Sequence, residues 1–381
     1  MMRGTASVPA PALVTAALAE RQGGFPRAGL DWLTRAGLTA PAAIEAMLEG
    51  GEGSLGLFDL LVAVGRGDLA AGRLYEGHVD ALGLVRRLGT DAQRARAEAV
   101  AEAGGLLGVW GADDPEAPGR IERRDGTARL VGRKTYASGG AGLALAIVAV
   151  KDEGATQLVL LEQDRLAGRF DEDWWDPIGM AETRSDALDL DGLTVPEGGR
   201  LGSVGTYEGH PAFGAGAVRF VAVQVGGVLG VWDVMRRHLE GTGRIDDPHQ
   251  ASRLAAALAD CEAIHAAVGA AFDRLRPLIA WSGARSCESP PADPNAGAAD
   301  AARLLVEAAG HRVIDGAIRS VGCGGLMRRH PLSRRVTDLL VYLRQPAPDA
   351  AALRLARALG EGRHRPGFDH SEHAERPCRA D

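Results

Sequence analysis

The chain has 381 residues, 46% hydrophobic and 24% charged, a balance that supports packed cores and excludes natively disordered protein. Its net charge of -7 argues against a nucleic-acid partner. Four cysteines (Cys261, Cys287, Cys323, Cys378) have no paired spacing, which excludes a disulfide framework or a metal site and points to a reducing cytoplasm.

The N-terminus lacks the apolar core of a signal peptide, and no apolar run reaches the length of a membrane span, so no membrane partner is expected. Residues 1–106 read as an N-terminal helical domain. Short helices are expected over 12–22, 29–36 and 40–49, followed by a break at the glycines of 50–53. Residues 58–88 read as two apolar helices with Gly65-Arg66-Gly67-Asp68 as the turn between them. A further helix over 91–103 takes Asp91 as its N-cap. On the second apolar helix Tyr75, His78 and Leu82 share one face, and Glu76 and Asp80 share another.

From Leu106 the pattern changes. Gly, Asp and Pro punctuate short runs of Val, Leu and Ile, and Ala187-Leu188-Asp189-Leu190-Asp191 alternates at period two, the spacing of a strand with one wet face. Residues 107–213 therefore read as a middle β domain, a small barrel. Helical spacing resumes over 218–239, with Gly226, Gly227 and Gly230 inside it. An interior helix glycine costs about 1 kcal/mol relative to Ala, so these mark a place where another backbone or a flat ligand comes close. Helices over 248–275, 300–321, 332–345 and 349–359 complete residues 214–362 as a C-terminal four-helix bundle. A polar connection runs over 287–294, and residues 363–381 read as a disordered tail. The expected fold class is α+β: helical domain, small β-barrel, four-helix bundle.

That order, with its motifs, resembles the acyl-CoA dehydrogenase superfamily of flavoproteins over roughly residues 29–360. The family's Gly-x-Lys-x-Trp-Ile-Thr/Ser strand is matched by Gly132-Arg133-Lys134-Thr135-Tyr136-Ala137-Ser138. Its hinge and Thr-x-Ser turn are matched by Gly179-Met180, Thr183 and Ser185, before Val195-Pro196. Arg219, Leu258-Ala259-Asp260, and the series Gly324-Gly325, Pro331, Arg334, Asp338 resemble its bundle motifs. The resemblance implies a homodimeric or homotetrameric oxidoreductase with one FAD per subunit between the β domain and the bundle, acting on acyl-CoA or a related small molecule. It further implies that Tyr136 stacks on the flavin, and that Ala137 and Ser138 meet its pyrimidine edge or N5. Trp110 is placed to do the same or to fill the barrel core. Arg244 would reach a neighbouring subunit's flavin, and the backbone at Gly324 and Gly325 would approach the dinucleotide.

The departures are chemical. Arg329 stands where short-chain members carry the Glu that takes the α-proton, and Arg is no base near neutral pH. The Thr-Glu pair beside the flavin is replaced within Gly108-Val109-Trp110-Gly111, and the segment after Arg244 has lost its Phe. His78 and His330 are the candidate bases that remain. For His78 the competing reading is a histidine bonded within a helix interface, and for His330 a solvated residue of a basic patch. Two alternatives to dehydrogenation follow: a flavin-dependent monooxygenase of the same fold, favoured by Tyr136-Ala137-Ser138-Gly139, and a degenerate member that only binds a ligand or partner.

Overall fold

Asp68 alone separates helix α4 (Leu57–Gly67) from α5 (Leu69–Leu88). Its extended backbone ends one helix, and its carboxylate caps the next by accepting from Ala71 N at 2.9 Å. The computed structural model describes residues 9–19, 25–50, 56–209, 211–281, 297–345 and 348–366. Most of the expected tail and the 287–294 connection lie outside the described residues. Around the α4–α5 pair stand α1 (Pro11–Ala19), α2 (Arg27–Arg35), α3 (Pro41–Glu49) and α6 (Asp91–Glu102). The cap of α6 is Thr90 rather than Asp91. Its hydroxyl and the Gln93 side chain exchange bonds with each other's backbone, a capping box.

The middle region holds β1 (Leu107–Trp110), β2 (Arg120–Arg124), β3 (Thr127–Val131), β4 (Arg133–Ala137), β5 (Leu145–Asp152), β6 (Ala155–Glu162), β7 (Phe170–Asp171), β8 (Asp186–Asp189) and β9 (Arg200–Leu201). Two hairpins turn on two residues with positive φ, Asp125-Gly126 and Glu153-Gly154, the geometry that matches strand twist. One sheet runs β3-β2-β5-β6-β9, with β1 parallel to the start of β5. The other runs β4-β8-β7. Neither sheet closes, so the expected small barrel is instead a pair of open sheets. The break falls at Gly132. Its φ of +95° turns β4 away from β3, and a Cβ there would stand 2.5 Å from Pro118 O. Lys134, fully buried, ties the two sheets together by donating to Ala149 O at 2.7 Å, Gly111 O at 2.9 Å and Asp113 Oδ1 at 2.6 Å.

The C-terminal region contains α7 (Thr206–Gly209), α8 (Pro211–Gly241), α9 (Pro248–Ile279), α10 (Ala298–Val321), α11 (Pro331–Leu343) and α12 (Pro348–Gly360). Helices α8, α9 and α10 pack on one another, and α11 joins them against α8. By length and composition α8 and α9 would each suffice to cross a membrane, contrary to the expectation from the sequence. Yet 67% of the most apolar stretch of α8 is buried inside the protein, so this apolarity serves helix packing. α9 buries less and turns Ala255, Ala256, Leu258 and Ala259 outward.

Helix α8 also crosses α4, and the glycines explain how closely. A Cβ on Gly226 would lie 2.2 Å from Val62 O, and one on Gly65 would lie 2.3 Å from Val223 O. The neighbour that these glycines admit is therefore another backbone. Gly226→Ala should cost about 3 kcal/mol or more, since overpacking against rigid backbone cannot relax. Gly214, on the same helix with open space around it, should gain up to about 1 kcal/mol as Ala. Chemical denaturation of the two variants reads both signs, and equal effects would refute the crossing.

Candidate functional site

Strand β4 ends in a sharp corner. Tyr136 adopts a left-handed φ of +52°, and Gly139 and Gly140 follow with φ of +90° and +42°. A non-glycine residue at positive φ is strained and persists where its surroundings hold it. Here Ser138 N donates to Tyr136 O at 2.8 Å and Gly139 N to Thr183 O at 2.8 Å. The Tyr136 ring is half exposed. It meets Trp174 and Trp175 edge-on at 5.0 and 5.8 Å, and those two indoles stack at 6.3 Å. The result is an aromatic wall at the surface of the corner.

Ala137 is fully buried in the core. Trp110 is 1% exposed, turns its edge to Phe170 and donates from Nε1 to Ser138 O at 3.0 Å. It supports the corner from within. Behind Ser138 lies a row of buried hydroxyls. Ser138 Oγ is 2.9 Å from Ser185 Oγ, Ser185 Oγ is 2.7 Å from Thr183 Oγ1, and Thr183 donates to Met180 O at 2.8 Å.

The hinge that supplies Thr183 and Ser185 is fastened to the bundle. Met180 N donates to buried Asp338 at 2.6 Å, and Arg334 bonds both Glu182 and Asp338. A Cβ on Gly179 would lie 2.1 Å from Thr337 O, so the hinge backbone lies directly on α11. Arg334 and Asp338 thus tie the hinge to α11.

In front of Ser138 a narrow gap separates the corner from α5, bounded by Gly108, Val109, Arg73, Leu74 and Gly77. From there a row of charge follows α5. Arg73, Glu76, Asp80 and Arg87 lie at spacings of three, four and seven, on one helix face about 21 Å long. Arg73 donates to Glu76 at 2.6 Å, Arg219 of α8 bonds Asp80, and Arg87 donates to the carbonyls of Leu278 and Ala280. Burial raises the Glu76 carboxyl above its ordinary range, against the pull of Arg73. Burial lowers Arg87 to about 10. Tyr342 stands within electrostatic reach of Glu76 and Arg73, and its hydroxyl, like Arg219 Nε, is buried with no hydrogen-bond partner. The far end of the row opens at Tyr207 and Phe213, whose rings are 4.2 Å apart, with Phe213 half exposed. A larger cavity of about 470 Å³ opens among Arg27, Asp31, Arg96 and Glu162, but Ser138 does not line it.

The remaining expected residues lie elsewhere. His78 is 0% exposed. Its Nε2 donates to Thr39 O at 2.9 Å and its Nδ1 accepts from Leu107 N at 3.1 Å. Both ring nitrogens are used and the tautomer is settled, so His78 clamps α5 to β1 and has no lone pair free for base work. The interface reading replaces the catalytic one. His330 caps α11 by accepting from Leu332 N at 3.1 Å and packs 5.5 Å from His238. It belongs to a separate neighbourhood with exposed Arg244, which reaches towards Ser320 O. His238 is held below its usual range by partial burial and by the charges of His330 and Arg244. Gly325 is packed under Val321 and Leu332, whereas Gly324 has open space around it. Arg73, Glu76, Asp80, Arg219, Tyr342, Trp174 and Trp175 were not expected at the site. For the α5 residues, the three-four-seven spacing is the signal that points to them.

No family model matches the chain, and no curated protein matches it by sequence. Solved structures do match. The TdsC structure from Paenibacillus sp. A11-2 with FMN and indole is 16% identical, with a TM-score of 0.76 over 92% of this chain and 94% of that one. The fold is that of the acyl-CoA dehydrogenase-like flavoproteins. KijD3 in complex with FMN and an amino-keto-sugar nucleotide is 22% identical, with a TM-score of 0.72 over 93% and 92% of the two chains. A nitrososynthase from Micromonospora carbonacea var. africana is 20% identical, with a TM-score of 0.72 over 92% and 93%.

Burial lowers His78 to about 4, below the ordinary 6.5 or so of an unfolded histidine. The unfolded chain therefore binds the extra proton between these values. The neutral clamp contributes its full stability above about pH 6.5 and loses it as pH falls towards 4, by about 3 kcal/mol in all. His78→Gln should flatten this part of a stability-versus-pH curve measured by denaturant unfolding. An unchanged slope would show that His78 titrates normally.

Proposed function

We propose that the chain is a flavin-dependent monooxygenase that holds FMN against the 136–138 corner and oxidises a small polar substrate. The observation that carries this reading is the corner itself. An aromatic wall of half-exposed Tyr136 and partly buried Trp174 and Trp175 adjoins one hydroxyl, Ser138, on backbone that carries glycine at 139 and 140. A flat heteroaromatic ring needs such a face and such a polar point. FMN rather than FAD is favoured because structures of TdsC and KijD3 are described with FMN and because Arg244 is directed to Ser320 O. A bound flavin would supply two-electron chemistry and, when reduced, reaction with O2.

The chain's own residues define what accompanies the flavin. Tyr136 would support one face of the ring, and Ser138 would bond at N5. Arg329 is exposed in the turn before α11 and cannot remove a proton from an acyl chain. The gap at Ser138 is lined by Arg73 together with Leu74, Leu107, Val109 and Leu143, and at the far end of α5 the charges of Asp80, Arg87 and Arg219 stand among Leu84, Leu88 and Phe213. A long acyl tail would desolvate these charges without compensation. Arg219 Nε and Tyr342 OH instead seek a substrate that brings hydrogen-bonding oxygens. An acyl-CoA is thus a poor candidate, and a hydroxylated or carbonyl-bearing small molecule a good one.

Titration with FMN should quench its fluorescence on binding, and Tyr136→Ala with Ser138→Ala should weaken binding about tenfold or more, equivalent to one or two lost contacts. Absence of any flavin binding would overturn the proposal. So would rapid anaerobic bleaching of bound flavin by saturated acyl-CoAs, since that demands the missing base.

Tyr342→Phe separates a ligand-directed hydroxyl from a structural one. Removing a buried hydroxyl with no partner should leave the melting temperature unchanged or raise it. A clear fall would mean that the hydroxyl serves the fold.

The outward alanines and Leu258 of α9 also suit a second copy of the chain, with the homodimer or homotetramer as the expected assembly. Light scattering that returned only monomer at micromolar concentration would reject it.

A further inference from the structure

Ser138, Ser185 and Thr183 are 6%, 2% and 1% exposed, so bulk water is kept from the bonds between them. Each hydroxyl has one proton to give. Thr183 gives its proton to Met180 O, which cannot donate in return. Ser185 must then donate to Thr183 at 2.7 Å, and Ser138 must donate to Ser185 at 2.9 Å. With its proton directed inward, Ser138 Oγ offers only lone pairs outward. The opposite wiring is possible if all three hydroxyls rotate. It gives up the hydroxyl's bond to Met180 O, although that carbonyl keeps two other donors, Thr183 N at 3.0 Å and Trp175 Nε1 at 3.1 Å. Reversal thus forfeits one hydrogen bond and leaves no buried group bare. The row has two polarities separated by a modest gap, and the one with Ser138 as acceptor is favoured.

We infer that Thr183 and Ser185 are positioning residues whose hydroxyl row holds Ser138 as a hydrogen-bond acceptor, so that the corner favours a ligand presenting N–H over the same ligand presenting a bare nitrogen. The inference rests on the proposal that flavin N5 meets Ser138. Reduced flavin carries N5–H and oxidised flavin carries a bare N5. The row therefore tunes the corner towards the reduced cofactor, as suits a protein that would take up flavin already reduced. No proton leaves the row: when oxidised flavin binds, the three hydroxyls rotate and the bond to Met180 O is the one lost.

The test measures FMN affinity twice, oxidised in air and dithionite-reduced under anaerobic conditions, and compares the ratio between variants. Ser185→Ala cuts the row and frees the Ser138 proton to face either way. Thr183→Val removes the link to Met180 O and lets Ser185 donate to Ser138. Each should lower the preference for reduced over oxidised FMN about tenfold, the worth of one hydrogen bond. The change should come mainly from tighter oxidised binding, and Thr183→Ser, which keeps the hydroxyl, should retain the wild-type ratio. The midpoint potential of bound flavin should fall by about 30 mV in the first two variants, the two-electron equivalent of tenfold. An unchanged ratio in both Ser185→Ala and Thr183→Val, with flavin still bound, overturns the row's role and leaves the cofactor reading standing. Failure of wild-type protein to bind FMN in either state overturns both.

Discussion

Direct contact of backbone on backbone, possible only at glycine, is the constraint on which the rest of this structure depends. Gly65 and Gly226 let α4 and α8 cross without side chains between them, and Gly179 lets the hinge lie on α11. Widening either contact would carry α8 away from the N-terminal helices or lift the hinge from the bundle. The Asp338–Met180 bond spans the second seam, and the Arg219–Asp80 bridge joins α8 to α5 beside the first. Their short range makes the polar site sensitive to packing some distance from it. The helix propensity lost at interior glycine is about 1 kcal/mol per residue, a small term beside a helix crossing that buries two apolar faces.

Helix α5 carries two kinds of polar group for different reasons. On one face Tyr75 and His78 donate to the carbonyls of Leu38 and Thr39, and His78 also accepts from Leu107. These bonds are complete, and they fix the helix against β1. On the other face each charge has a partner, but the neighbouring helices bring up Arg219 Nε and Tyr342 OH, which have none among the described residues. Buried polar groups are nearly always satisfied. Completeness on one face therefore reads as architecture, and incompleteness beside the other as a place kept for a ligand.

The corner at Ser138 joins these parts. Strand β4 brings Tyr136 and Ser138 forward, Trp110 braces the turn from the core, and the hinge adds two hydroxyls from a distant segment. Because the hinge is bonded to α11 and the corner faces α5, the chemistry proposed here sits where sheet, N-terminal helices and bundle meet. No single element could build it.

Much of this was legible in the chain. Amphipathic spacing, Gly and Pro punctuation and period-two alternation place the helices and strands, since these depend on local sterics and on which side of a segment is apolar. The Gly132–Ser138 and Thr183–Ser185 motifs carry the corner, because they are contiguous in sequence. The sequence alone could not decide whether the sheet closes, since Gly132 turns the strand only when Pro118 O stands against it. It could not decide the role of His78 either, because its two partners, Thr39 and Leu107, are 39 and 29 residues away. Residues far apart in the chain, such as Arg219 beside Asp80 and Tyr342 near Glu76, meet only after helices pack. A lone histidine or tyrosine has the same local signature in a core as in a site, and only the completeness of its bonds in the folded chain tells one from the other.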